Sequence, residues 1–178
     1  MLDVEVASKK KRISAIRRMI GLIIGLPLIV AFGLVQSGLY QPYRIISSSM
    51  YPTLQIGDSL LTQPPRNVVD WMNRIVIFPD PTRPDELLIK RVVAVAGDRL
   101  QFENGRLYRN DDKSPLTRSV ILKRDRERWT LGIGEVFVLG DNYLDSFDSL
   151  NFGPIKVSSI KAVPFYRYWP IDRRGTIQ

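Results

Sequence analysis

The chain has no cysteine and no histidine among its 178 residues. Without cysteine there is no disulfide, no thiolate nucleophile and no cysteine-based zinc site. Without histidine the usual imidazole base is missing, so a serine nucleophile cannot use a Ser-His-Asp triad, and zinc ligation loses its other common donor. One arrangement survives for activating a serine hydroxyl: a lysine whose amine is kept neutral. No metal or other cofactor is expected.

What is present is uneven. The net charge is +8, and residues 1–18 carry Lys9, Lys10, Lys11, Arg12, Arg17 and Arg18 against Asp3 and Glu5. Met19 to Val35 then runs for 17 residues without a charge or a polar side chain. At about 1.5 Å per residue this run reaches the short end of a bilayer core. Gln36 to Tyr40 can extend it. A basic flank before an apolar run follows the positive-inside pattern, so the expected contact of these cations is anionic lipid rather than nucleic acid. A cleaved signal peptide is the alternative, but the apolar run exceeds the usual length of such a region. The expected organisation is a cytoplasmic basic segment at 1–18, a single transmembrane anchor at 19–40 and an extracytoplasmic domain at 41–178.

Beyond Tyr40 the pattern is mainly β. Short apolar runs are punctuated by turn residues, with 12 Pro and 12 Gly in the chain. Strands are expected at Tyr43–Ile46, Ser59–Thr62, Arg74–Phe78, Leu87–Ala96, Arg99–Glu103, Arg106–Arg109 and Val136–Leu139. Asn104-Gly105 is a strong hairpin signal, because a type I′ turn needs positive φ at both central positions. That register sets Glu103 opposite Arg106. Residues 111–130 are polar and charged and read as a surface excursion.

Three segments can carry chemistry. Ser47-Ser48-Ser49 precedes Met50-Tyr51-Pro52-Thr53-Leu54, a loop with a rigid proline and apolar anchors; read alone, a serine run is an ordinary solvated turn. Lys90 lies inside the longest apolar run, Leu87 to Ala96. Burial lowers a lysine pKa and makes the amine available as a base, although a lone strand lysine ordinarily snorkels to solvent. Alternation along the strand sends Arg91 to the opposite face, where it should meet a carboxylate. Gly140 to Ser149 is turn-rich, and its hydroxyls and carboxylates can orient the lysine or pair with Arg91. Alternation also turns Ser48 away from the side shared by Ser47 and Ser49.

Together these segments resemble the type I signal peptidases, membrane-anchored Ser-Lys endopeptidases. Ser49-Met50-Tyr51-Pro52-Thr53-Leu54 is similar to the family's S-M-x-P-T-L box, followed by Gly57-Asp58. Lys90-Arg91-Val92 with Gly97-Asp98 is similar to its K-R-V-x-x-x-x-G-D box, and Gly140-Asp141-Asn142 with Ser146, Asp148 and Ser149 to its G-D-N-x-x-x-S-x-D-S box. The chain departs from that pattern at Ile46, where proline is usual, and at Tyr143 and Leu150, where arginine is usual. The resemblance implies an antiparallel β-barrel-like catalytic domain with an apolar surface that meets the bilayer. It implies Ser49 as nucleophile, Lys90 as general base and Ser47 as an oxyanion donor beside the Ser49 N–H. It further implies that Ser146 bonds the Lys90 amine and that Asp148 pairs with Arg91. The implied partners are signal peptides of secretory preproteins and membrane lipid, near the secretion translocon, with no nucleic acid. Two other readings stay open: a narrow-client Ser-Lys peptidase, and an inactive membrane-anchored β module that binds exported chains.

Overall fold

The structure, a computed structural model, describes residues 17–30, 32–33, 40–67, 69–110, 112, 115–116 and 127–177. Most of the expected basic segment 1–18, residues 31 and 34–39 of the expected anchor, and much of the expected excursion at 111–130 lie outside these residues. The chain divides into two units, Met1–Tyr40 and Gln41–Gln178. In the first, residues 17–30 form a helix, α1. Its apolar side chains are exposed all round, Leu22, Ile23, Leu26 and Ile29 among them. No helix among the described residues is long and apolar enough to cross a membrane.

The second unit is built from antiparallel strands in three sheets. The first sheet has the order β1 (Gln41–Arg44), β2 (Ser59–Gln63), β10 (Val163–Trp169), β11 (Gly175–Thr176). The second runs β3 (Ile75–Pro79), β4 (Leu87–Val95), β8 (Glu135–Leu139), β9 (Ile155–Lys156). The third has β5 (Arg99–Glu103) between β6 (Arg106–Arg109) and β7 (Arg128–Thr130). A bridge from Ile77 to Ala162 ties β3 to the chain entering β10. The hairpin expected at Asn104-Gly105 forms with φ of 50° and 73°, and Glu103 pairs with Arg106. The strand β7 lies inside the stretch read as a surface excursion. Trp129 packs against the buried Phe137 at 5.0 Å between ring centroids, and that apolar contact outweighs its polar neighbours.

Strand β8 carries the core. Val136 and Val138 point into one apolar cluster with Val76, Phe78, Val92 and Ile155. Phe137 and Leu139 point into another with Ala94, Leu100, Phe102 and Leu107. A strand buried on both faces must be apolar at every position, and Val136-Phe137-Val138-Leu139 is. Its partner β4 changes register between Val92 and Ala94: Val92 faces Val138 while Ala94 faces Phe137. This bulge lets Val92 and Ala94, two residues apart, serve different clusters.

A third cluster holds the loop that follows β1. Ile45, Met50, Leu54, Leu60 and Ile75 are buried together. Met50 and Leu54 have no exposed surface. Burying each is worth about 1.5–3 kcal/mol. The Ser49-Met50-Tyr51-Pro52-Thr53-Leu54 segment is thus an irregular loop nailed to the core on either side of its proline.

Candidate active site

Lys90 sits on the buried face of β4, directly across from Val76 of β3. Its side chain is enclosed, with 2% of the residue exposed. The ladder pairs Arg91 with Leu139, so the next residue of the β8 chain, Gly140, comes alongside Lys90. Gly140 opens the loop Gly140–Asp148, which leads into α2 (Ser149–Phe152). From the other side the loop anchored by Met50 and Leu54 delivers Ser49, itself 7% exposed.

These placements bring Lys90 Nζ to 2.6 Å from Ser49 Oγ, where the amine donates. The two residues are 41 positions apart in the chain. Ser47 Oγ lies 3.4 Å from Ser49 Oγ. The pKa of Lys90 is pushed down to about 8, chiefly by burial. Asp148, then Asp141, Asp145 and Asp80 act the other way through their negative charge. The arrangement offers a hydroxyl beside an amine that loses its proton at mildly alkaline pH, which suits general-base activation of the hydroxyl.

Contact at Gly140 is close enough to exclude any side chain. A Cβ there would come to 2.5 Å from the Ser49 carbonyl oxygen and 2.3 Å from Ser146 Oγ. Glycine at 140 lets the two loops meet over Lys90. They are then bonded together: Asn142 N donates to Ser49 O at 3.0 Å. Asn142 Nδ2 donates to Ser48 O at 3.3 Å, and Ser48 Oγ donates to Asp145 Oδ2 at 2.5 Å.

The supporting residues are arranged differently from what the sequence suggested. Arg91 pairs with Asp141, not Asp148, through Nε and Nη2 at 2.9 and 2.8 Å. It also donates to the Asn73 carbonyl at 2.9 Å. The Asp141 hydrogen bond is the main reason the Arg91 pKa is raised. Asp148 is on the other side of β4, where it is the leading charge acting on Lys90. Its carboxylate accepts from Gly140 N at 3.0 Å and Leu150 N at 3.1 Å, and Asn151 returns a bond to its backbone in a capping box. Asp148 is therefore the N-cap of α2, with its pKa raised by burial against those bonds. Strand alternation separates it from Arg91.

Ser146 Oγ is buried and has no hydrogen bond of good geometry among the described residues. It stands against Gly140 and close enough to Asp148 to help hold down that carboxyl's pKa. Ser149 Oγ, given no role in the sequence reading, accepts from Val138 N at 3.0 Å and fixes α2 to β8. Phe152 secures the same helix edge-on between Phe78 and Phe147. Leu150 is a core residue of the Phe137 cluster, which accounts for an apolar side chain there. Asp141, Asn142 and Asp145 were given no individual roles; Asp141 and Asn142 were signalled by the G-D-N box, Asp145 only by membership of a turn-rich acidic segment. No group of three or more metal-ligating side chains occurs among the described residues.

The family described as signal peptidase, peptidase S26 matches residues 16–169, and the chain belongs to that family. It is similar to thylakoidal processing peptidase 1 of Arabidopsis thaliana, 35% identical over 77% of this chain and 44% of that protein. The chain thus spans less than half the length of that relative. It is also similar to a signal peptidase I of Bacillus caldolyticus, 30% identical over 75% of this chain and 82% of that one. A solved signal peptidase I from Enterococcus faecalis V583 is 24% identical, with a TM-score of 0.41 over 54% of this chain and 97% of that chain.

Proposed function

We propose that this protein is a membrane-bound serine endopeptidase that removes signal peptides from exported preproteins by Ser-Lys acyl transfer. The observation that carries the reading is the 2.6 Å contact between the buried Lys90 amine and Ser49 Oγ in a chain without histidine or cysteine. Signal peptidase I relatives supply the substrate class.

In the proposed reaction neutral Lys90 accepts the Ser49 proton as Oγ bonds to the scissile carbonyl carbon. The carbonyl oxygen becomes an oxyanion held by the Ser47 hydroxyl and the Ser49 N–H. Collapse breaks the C–N bond, and the Lys90 ammonium returns its proton to the leaving amine. Water then attacks the Ser49 ester and gives its proton to Lys90, which passes it to Ser49 Oγ as the acid departs. Each oxyanion donor is worth about 3–4 kcal/mol of transition-state stabilisation. Arg91–Asp141 and the Asp148 cap hold the loops that frame the dyad.

From Met19 onward the surface of α1 is apolar on every side. That suits lipid better than water, since a helix apolar all round has no polar face to leave in solvent. We assign it to a retained anchor over residues 19–40, with residues 1–18 cytoplasmic and residues 41–178 on the extracytoplasmic side near the translocon. Protease added outside intact spheroplasts should digest the chain beyond Tyr40; cleavage confined to residues 1–18 would reverse the topology.

The functional test is incubation of detergent-solubilised protein with a model preprotein, followed by sequencing of the new N-terminus. Cleavage after the leader supports the reading. A wild-type protein that neither cleaves nor takes a serine-reactive acylating probe at Ser49 is a binding module instead. Acylation with no cleavage of general preproteins points to a narrow client.

A further inference from the structure

We propose that Ser48 and Asp145 form a latch that positions the nucleophile, closing the Ser47–Leu54 loop onto the Gly140–Asp148 loop so that Ser49 Oγ stays against Lys90. The proposal rests on the peptidase reading above.

The geometry is local and specific. The loop carrying Ser49 is held by Met50 and Leu54 from below, after the serine. Upstream, Ile45 is buried in the same cluster, but from Ile46, 84% exposed, to Ser48 no apolar side chain is buried. That short stretch is held to the second loop by polar contacts. The Ser48 hydroxyl reaches the Asp145 carboxylate at 2.5 Å across 97 residues of chain. Asn142 grips the carbonyls on both sides of the same point, Ser48 O at 3.3 Å and Ser49 O at 3.0 Å. Ser48 also accepts at its carbonyl from Tyr51 N at 2.9 Å, which closes the turn. A hydroxyl-to-carboxylate bond is charge-assisted and stronger than a neutral one. It fixes the rotation of the Ser48–Ser49 peptide, whose N–H is the proposed oxyanion donor. Ser48 is thus turned away from the dyad, as strand alternation suggested, yet acts on it through the backbone.

Asp145 has a second effect. Its charge opposes the lowering of the Lys90 pKa, together with Asp148, Asp141 and Asp80. Arg91, the adjacent cation on β4, is turned to the other face and paired with Asp141. The two properties of Asp145 separate by mutation. Asparagine keeps an acceptor oxygen for Ser48 but removes the charge.

The experiment compares Ser48→Ala, Ser48→Thr and Asp145→Asn in the full-length solubilised protein on a model preprotein. Ser48→Ala is expected to lower kcat about 10-fold to 10²-fold with KM little changed, since a displaced nucleophile costs the chemical step. Ser48→Thr should recover most of that loss because it restores the hydroxyl. Asp145→Asn should lower kcat less than Ser48→Ala, because the amide oxygen still accepts but without charge assistance. It should also move the rising limb of the pH–rate profile to lower pH, because a lost negative charge favours the neutral amine. Wild-type kcat in Ser48→Ala, or a Ser48→Thr variant no better than alanine, would overturn the latch, and an unmoved pH limb in Asp145→Asn would overturn the charge effect assigned to Asp145. If the wild type is inactive, the peptidase reading fails, and a thermal-unfolding cycle of Ser48→Ala, Asp145→Ala and the double variant decides the latch. Non-additive shifts support it, and additive shifts refute it.

Discussion

Lys90 and Asp58 are both buried, at 2% and 1% exposure, and the fold treats them in opposite ways. Asp58 ends the loop that begins at Ser49. Its Oδ2 accepts from Gln55 N at 3.0 Å, Arg173 Nη2 at 3.1 Å and Arg167 Nη1 at 3.3 Å. Arg167 also donates to the Thr53 carbonyl at 3.0 Å, so β10 clamps the far end of the nucleophile loop. Every part of that cluster is answered by opposite charge or a backbone donor. Lys90 has no ion pair among the described residues, and its close partner is a neutral hydroxyl. A structural site compensates its buried charge; a site built for proton transfer leaves one poorly compensated, so that it ionises in the working range.

The largest expected effects fall on the uncompensated side. Ser49→Ala should abolish cleavage and probe labelling, and Lys90→Arg should do nearly the same, losses of about 10⁶-fold by analogy with other nucleophile–base pairs. A guanidinium keeps the positive charge but cannot act as base. Near wild-type cleavage by a folded Lys90→Arg protein would falsify the assignment of Lys90. The Ser49→Ala/Lys90→Ala double variant should be little worse than either single, because the pair acts as a unit. Ser47→Ala comes next, at roughly 10²–10³-fold in kcat if the proposed oxyanion donor is lost.

Asp58→Asn tests the compensated side. It leaves Arg167 and Arg173 without their counter-charge and is expected to cost about 3 kcal/mol in denaturant unfolding. The activity pH profile should stay in place, since Asp58 is not among the charges acting on Lys90. A pH limb displaced by Asp58→Asn would merge the two clusters into one and remove the contrast.

The smallest effect is the most diagnostic. Lys90→Met should raise stability at neutral pH by about 1 kcal/mol while removing activity, the usual trade at a functional site. The sign follows from linkage. The folded pKa of Lys90 is about 8 against 10.5 for the ordinary side chain. Below about pH 8 both states bind the proton and the folded state carries a buried cation. Between about 8 and 10.5 the unfolded chain binds more protons, so stability rises with pH, and above that range the penalty is gone. Urea midpoints across this window should climb for wild type more than for Lys90→Met. Identical slopes would mean that Lys90 is not perturbed by burial. Activity should rise with pH through the same folded pKa near 8.

Strands with a repeating local pattern were legible from the chain. The hairpin Arg99–Glu103 and Arg106–Arg109 formed at the bounds its Asn-Gly turn and flanking residues suggested. The run around Lys90 became β4 one residue shorter than expected. The first strand lies two residues upstream, at Gln41–Arg44, because its position follows the pairing with β2. Strand β10 gave no signal: Pro164 lies inside it, and its register slips between Pro164 and Tyr166 and again between Arg167 and Trp169. Bulges admit a proline where a regular central strand would not. Strands β9 and β11 are two residues each and exist only through their partners.

The amino-acid sequence by itself determined which chemistry was open. Lacking imidazole and thiol, and holding one lysine in a strand-length apolar run, the chain left a serine and a lysine as the pair to consider, and its boxes led to the family. Tertiary structure decided the rest. The 2.6 Å contact joins residues 41 apart, and Ser48 meets Asp145 across 97. The sequence also left Arg91 several acids in one loop, Asp141, Asp145 and Asp148. The winding of that loop gave Asp141 to Arg91 and made Asp148 a helix cap. Local sequence sets which residue types stand on each face of a strand, because side-chain direction alternates with every residue. Which carboxylate a cation meets depends on the path of a turn-rich loop, and that path is fixed only when Gly140, Ser149 and Phe152 pack against β8, the Ser49 loop and the core.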